Sequence, residues 1–145
     1  VAITQLIMDA DAAFRPLCEK KNVLFDMQLG DDNPQISAEK SSIVNALIAI
    51  LENALVVSEP LQAINLTLHN LPLRCQITIE DQGGGIPLEM LDSLFEPFAT
   101  GHSNGTGLGL AIAKNAIEAH RGTILAENYE HGARFTITIP CVQSS

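Results

Sequence analysis

Three groups of residues in this chain have the types and spacing to do chemistry. Asn53 is a lone amide in a run that is otherwise apolar. Asp81 is a carboxylate followed by Gln82 and then Gly83-Gly84-Gly85-Ile86-Pro87. A second glycine cluster runs Gly105-Thr106-Gly107-Leu108-Gly109-Leu110. The first glycine group follows a strand-like run and the second opens a helix-like run. Between them lie two Phe, a Pro and a Gly-His-Ser-Asn tract with little regular periodicity. Glycine-rich backbone at a helix N-terminus exposes unpaired N–H groups that phosphate oxygens can approach closely. The pattern therefore points to a hinged cover over a phosphate-bearing ligand. GTGLG alone is weak evidence, since it also describes an ordinary turn before a helix. A dinucleotide fingerprint needs a strand directly before it, which residues 95–104 do not make, and a P-loop needs a Lys that is absent here.

Elements must position these groups. Leu6, Ile7, Ala10, Ala13, Phe14 and Leu17 recur at helical spacing over residues 4–20, with Thr4 as a candidate cap and Pro16 expected to kink or shorten the helix. Residues 22–29 alternate as a strand with Val23, Phe25 and Met27 on one face, and residues 30–34 form a turn. The strongest helical pattern covers 38–58, through Ile43, Leu47, Ile50, Leu51, Ala54 and Leu55. Asn53 falls within that buried sector, where its amide needs partners; taken alone, it reads as a core amide bonded to a neighbouring loop.

Residues 63–69 and 73–80 read as a hairpin. Alternation puts Asp81 on the face of Cys75, Ile77 and Ile79, where an unpaired charge is costly. A carboxylate that only caps the glycine turn is the alternative. Residues 107–120 form a helix with Leu108, Ile112, Asn115, Ala116 and Ala119 expected on one side. Strands at 123–128 and 133–139 follow, the second burying Phe135, Ile137 and Ile139. Three main helices with about five strands make an α/β fold, a two-layer sandwich with a mixed, mostly antiparallel sheet. Thr78, Arg134, Thr136 and Thr138 indicate that part of the uncovered sheet face meets water.

Composition narrows the class. The 145 residues are 46% apolar and 17% charged, which suits one globular domain. No apolar run reaches transmembrane length, and the N-terminus lacks a signal-peptide layout. A net charge of −9 argues against nucleic acid and against a basic patch as the holder of an anionic ligand. Cys18, Cys75 and Cys141 form no C-x-x-C and read as reduced thiols, which fits a cytoplasmic setting.

Asn53 in LENALVVS, Asp81-x-Gly83-x-Gly85, Phe95-Glu-Pro-Phe98 and Gly105-Thr-Gly-Leu-Gly109 stand in the order and at the separations of the N, G1, F and G2 boxes. The chain thus resembles the catalytic ATP-binding domain of two-component sensor histidine kinases, whose sandwich is shared with gyrase, the MutL proteins and a heat-shock chaperone. The resemblance spans residues 1–141, with 142–145 as a tail and the dimerisation and phosphoacceptor domain expected before Val1. It implies ATP and Mg²⁺ as ligands, with Asn53 giving its side-chain oxygen to the metal. It implies that Asp81 accepts from the adenine amino group. Gly83 and Gly85 would turn beneath the purine and Ile86 would line its face. Phe95 and Phe98 would anchor the lid, a role that simple lid packing explains equally well. Gly105, Thr106, Gly107, Leu108, Gly109 and Leu110 would bring N–H groups to the phosphates. Glu52, beside Asn53, would assist the acceptor imidazole or stand as a helix carboxylate.

The implied partners are a histidine-bearing dimerisation domain and, through it, a response regulator. Direct membrane contact is not expected of this domain, although the parent could be a membrane-anchored sensor. The implied reaction is transfer of the ATP γ-phosphate to that histidine. ATP-hydrolysing relatives carry a Glu one turn before the Asn, where this chain has Ala49, which disfavours an ATPase. Other departures reduce positive charge near the phosphates: Val56 and Val57 follow the N box, and His102 alone could supply charge in the lid. A nucleotide-binding regulatory module without transfer is the alternative those departures support.

Overall fold

In a computed structural model, the structure describes residues 1–96 and 109–142. Helix α1 (Ile3–Lys21) buries Ile3, Leu6, Ile7, Ala10, Phe14 and Cys18, steps of three and four residues that place one stripe against the core. One expectation for this helix fails and another fails in part. Thr4 is no cap: the helix begins after Ala2, and the Thr4 hydroxyl donates to Asn33 Oδ1 at 2.6 Å. Pro16 neither ends nor shortens the helix, because Pro16 and Ala12, whose carbonyl loses its partner, are both exposed and water can serve that carbonyl. Ala13 and Leu17 are likewise exposed, and Cys18 takes the core position instead. The helix ends at Asn22 in left-handed conformation (φ 63°).

Strand β1 (Leu24–Gln28) pairs in parallel with β2 (Ala63–Leu71), and helix α2 (Lys40–Val56) lies in the connection between them. Strands β2 and β3 (Arg74–Glu80) form an antiparallel hairpin through Pro72 and Leu73. After β3 come a single turn, α3 (Leu88–Leu91), and then α4 (Gly109–Ala119), β4 (Thr123–Tyr129) and β5 (Gly132–Pro140). The sheet order is β1-β2-β3-β5-β4, with every pair except β1–β2 antiparallel. This is the expected two-layer sandwich; only the short α3 was not foreseen, being too brief to show a period.

Alternation along β2, β3 and β5 turns Ile64, Leu66, Cys75, Ile77, Ile79, Phe135, Ile137 and Ile139 inward beneath the helices. The opposite face carries Thr67, Gln76, Thr78, Glu80, Arg134 and Thr136 around an open polar concavity. Helix α2 buries Ile43, Ala46, Leu47, Ile50, Leu51 and Ala54, so it presents a wide apolar face. Lys21 from the end of α1 donates to Leu55 O at 2.8 Å, supplying the cation that α2's own last turn lacks.

The buried side of α4 differs from the one expected. Leu110, Ala111, Ala113 and Ile117 are inside, whereas Ile112 is 61% exposed and Asn115 lies at the surface. Apolar residues occur on both sides of this helix, so periodicity could not choose between them. Packing of α4 on α2 turned the side with Leu110, Ala113 and Ile117 inward, and a Cβ at Gly109 would meet that of Ala49 at an ordinary contact distance of 3.8 Å. Among the described residues, no helix is long and apolar enough to cross a membrane.

Candidate functional site

Asn53, in the last two turns of α2, and Asp81, directly after β3, line one cavity of about 230 Å³. Gly85 and Ile86 share its wall. Val57, Met90 and Leu94 make the remainder largely apolar. Two polar side chains that are 28 residues apart in sequence thus converge on a concave apolar surface, the usual form of a small-molecule site.

Asp81 is 1% exposed and held by backbone on several sides. Its Oδ1 accepts from Gly83 N at 2.9 Å and from Ala133 N at 3.3 Å. Its own N–H donates to Ala133 O at 3.0 Å, and its C=O accepts from the Tyr129 hydroxyl at 2.7 Å. A buried carboxylate that accepts backbone N–H bonds has part of its desolvation cost offset, and its orientation is set before any ligand arrives. Burial, followed by the charges of Glu80 and Asp81, pushes the Tyr129 phenol up, so this hydroxyl stays protonated as a donor at neutral pH.

The glycines on either side of Asp81 are there for space. A Cβ at Gly83 would sit 2.5 Å from Val57 O, and its absence lets the loop lie directly against the end of α2. At Gly132 it would sit 2.3 Å from Asp81 O, so the β4–β5 turn could not close over the carboxylate. Gly83 stands out in the sequence only as part of a glycine run, and its clearance from Val57 does not. Gly132 looks like any hairpin glycine until the strand order places β5 beside Asp81.

Asn128 has a role that the sequence does not signal. Its side-chain Oδ1 accepts from Ile86 N at 2.6 Å and its Nδ2 donates to Ile86 O at 2.9 Å. This two-bond clasp fixes the loop after the glycines to β4. An Asn 42 residues away in sequence offers no local signal of such a role.

Other expected residues fall as follows. Glu52 is exposed beside the half-buried Asn53. Gly109 opens α4 at the surface, and Leu110 is 9% exposed and belongs to the core. Ala49 occupies the turn before Asn53 and packs towards Gly109, with no carboxylate there. Phe95 packs edge-on against Phe135 (centroids 6.1 Å apart), with Lys114 Nζ 5.7 Å from its ring. Phe98, His102, Gly105, Thr106, Gly107 and Leu108 lie outside the described residues.

Comparison with known proteins agrees with this geometry. Residues 38–143 match the family described as histidine kinase-, DNA gyrase B-, and HSP90-like ATPase. The alginate biosynthesis sensor protein KinB of Pseudomonas aeruginosa is 33% identical over 141 residues, 95% of this chain and 24% of KinB. Sporulation kinase E of Bacillus subtilis is 34% identical over 145 residues, 99% of this chain and 20% of that protein. The chain therefore spans between a fifth and a quarter of these relatives' length. Among solved structures, the catalytic domain of histidine kinase ThkA superposes with a TM-score of 0.88 at 29% identity, covering 97% of this chain and 93% of that domain. ThkA has also been solved in complex with the response regulator protein TrrA; that ThkA chain aligns with a TM-score of 0.84 at 26% identity, covering 98% of this chain and 41% of that one. The Asn53–Asp81 cavity is thus set in a catalytic-domain fold of the sensor histidine kinase type, and the chain belongs to the histidine kinase-, DNA gyrase B-, and HSP90-like ATPase family.

Proposed function

We propose that this chain binds ATP between Asp81 and Asn53 and delivers its γ-phosphate to a histidine on a separate dimerisation domain. The observation that carries the reading is the convergence of those two side chains on one apolar cavity. In it Asp81 accepts from the exocyclic amine of adenine, which guanine lacks at that position. Ile86, Met90 and Leu94 surround the purine. The phosphates extend past Asn53, and the glycine-rich residues 105–110 are their expected backbone N–H donors.

Among the described residues, no group of three or more His, Cys, Asp or Glu could hold a metal ion. A single amide oxygen at Asn53 suits Mg²⁺ that arrives with the nucleotide, since this ion takes few protein ligands and completes its shell with phosphates and water. When bound, it would neutralise phosphate charge, which the protein's own net charge of −9 does not do. Ala49 places no general base beside the γ-phosphate. This favours transfer to an external nucleophile, for which positioning is most of the catalysis. Glu52, exposed next to Asn53, would accept a proton from an incoming imidazole. The partners of this reading are the histidine-bearing domain and a response regulator, and the compartment is the cytoplasm, where ATP is supplied.

Incubating the chain with labelled ATP, Mg²⁺ and a helical hairpin bearing the acceptor histidine should give an acid-labile, alkali-stable phosphohistidine. ATP binding with no transfer to such hairpins would instead leave a nucleotide-binding regulatory module.

The clasp at Ile86 gives a further expected result. Asn128→Ala removes both hydrogen bonds that hold the loop, so the KM for ATP should rise about fivefold with kcat nearly unchanged. Steady-state transfer assays over a range of ATP concentrations check it. A fall in kcat at constant KM would remove Asn128 from nucleotide positioning.

A further inference from the structure

The nucleotide cavity makes no use of two cysteines at the far end of β3. Cys75 is fully buried and pairs across β3–β5 with Ile139. Cys141 follows β5, and its N–H donates to Leu73 O at 2.9 Å, continuing the same ladder by two residues. The register therefore sets Cys75 and Cys141 diagonally across neighbouring strands. Side chains alternate along a strand, so both thiols lie on the same face of the sheet. Cys141 is only half-buried and lines a cleft of about 380 Å³ with Gln35, Asn70 and Leu73.

Several chain segments meet at this end of the sheet. Val1 and Ile36 exchange backbone hydrogen bonds at 2.8 Å, Ala2 bridges Gln35, and Val142 N donates to Gln35 O at 2.7 Å. The first residues of the chain are thus tied through the Pro34–Ile36 segment to the residues that carry Cys141. Cys75 lies about 20 Å along β3 from Asp81, at ~3.3 Å per residue.

We propose that Cys75 and Cys141 form an oxidation site, in which a hydroperoxide converts the thiol pair to a disulfide that latches this junction. Diagonal cross-strand positions lie just beyond the usual range for a disulfide, so a backbone adjustment is required. Cys141 can supply it because it stands one residue beyond the end of β5. Burial, and then the neighbouring Cys141, push the Cys75 thiol up to about 12. Cys75 therefore stays protonated, and Cys141, which faces the cleft, is the sulfur that meets oxidant. In the first step the Cys141 thiolate attacks one peroxide oxygen, the O–O bond breaks, and the leaving oxygen departs as water or alcohol, giving a sulfenic acid. In the second, the Cys75 sulfur attacks the Cys141 sulfur, the S–O bond breaks, and the hydroxyl leaves as water with the Cys75 proton. Two electrons pass from the sulfurs to the peroxide.

The test is to treat the reduced chain with hydrogen peroxide, trap remaining thiols with N-ethylmaleimide and map them by mass spectrometry. The expected product is an intact chain lighter by two hydrogens, with Cys18 alone of the three cysteines alkylated and a Cys75–Cys141 linked peptide that dithiothreitol abolishes. It should melt ~5 °C higher than the reduced form, because the bond closes a long loop. Cys141→Ala should abolish the product. Cys75→Ala should leave a sulfenic acid on Cys141 that dimedone captures. Three alkylatable thiols after treatment, sulfinic acid on Cys141 beside a free Cys75, disulfides only between separate chains, or an oxidised form that melts no higher would each overturn the proposal.

Discussion

Asp81→Asn should weaken ATP binding about a hundredfold, a loss of ~2.7 kcal/mol, while the melting temperature stays within ~3 °C of the parent. The two halves of this expectation have separate causes. Asparagine keeps a side-chain oxygen that can accept from Gly83 N and Ala133 N, the contacts that hold the turn at 2.9 and 3.3 Å. It replaces the other carboxylate oxygen with an amide that donates. Where the adenine amine must be accepted, donor then faces donor in a site 1% exposed to water, and a buried polar mismatch of that kind costs several kcal/mol. Calorimetric titration with ATP measures the first half and thermal melting the second. If the variant binds ATP as tightly as the parent, Asp81 does not read the base. If it binds weakly only because it has unfolded, melting will reveal that separately.

The second large effect is expected at Asn53. Asn53→Ala should reduce phosphotransfer by a hundredfold or more and abolish the strengthening of ATP binding by Mg²⁺. Affinity for the nucleotide in the presence of a chelator should remain within a few-fold of the parent, because the adenine end of the cavity is untouched. Stability should change little, since Asn53 is half-buried and alanine is a better helix former. Measuring ATP affinity with and without Mg²⁺ in parent and variant closes the cycle. Equal Mg²⁺ dependence in both would remove Asn53 from the metal's surroundings and leave it as an amide that only packs.

These two substitutions test different ends of one proposed ligand. Loss of nucleotide binding in D81N with retained Mg²⁺ dependence in N53A would keep the base site and discard the metal site. The reverse pattern would keep a phosphate and metal site and require the purine to lie elsewhere.

The amino-acid sequence by itself settled the architecture, because the periods of 3.6 and 2 in α2, β3 and β5 follow from burying one face of each element and need no distant partner to be read. It also singled out Asn53 and Asp81, since a polar group on an apolar face is conspicuous wherever the chain folds. Where an element had two usable faces, as α4 does, only the neighbouring helix could choose, and Ile112 came out while Ala113 went in. Where a position depended on partners far along the chain, no local pattern existed: Asn128 clasps Ile86, Gly132 makes room for Asp81, and Cys141 lies diagonal to Cys75 because β5 inserts between β3 and β4. Pro16 shows the same division, since the sequence registers a helix breaker, whereas tolerance depends on the exposure of Ala12's carbonyl, which only packing decides.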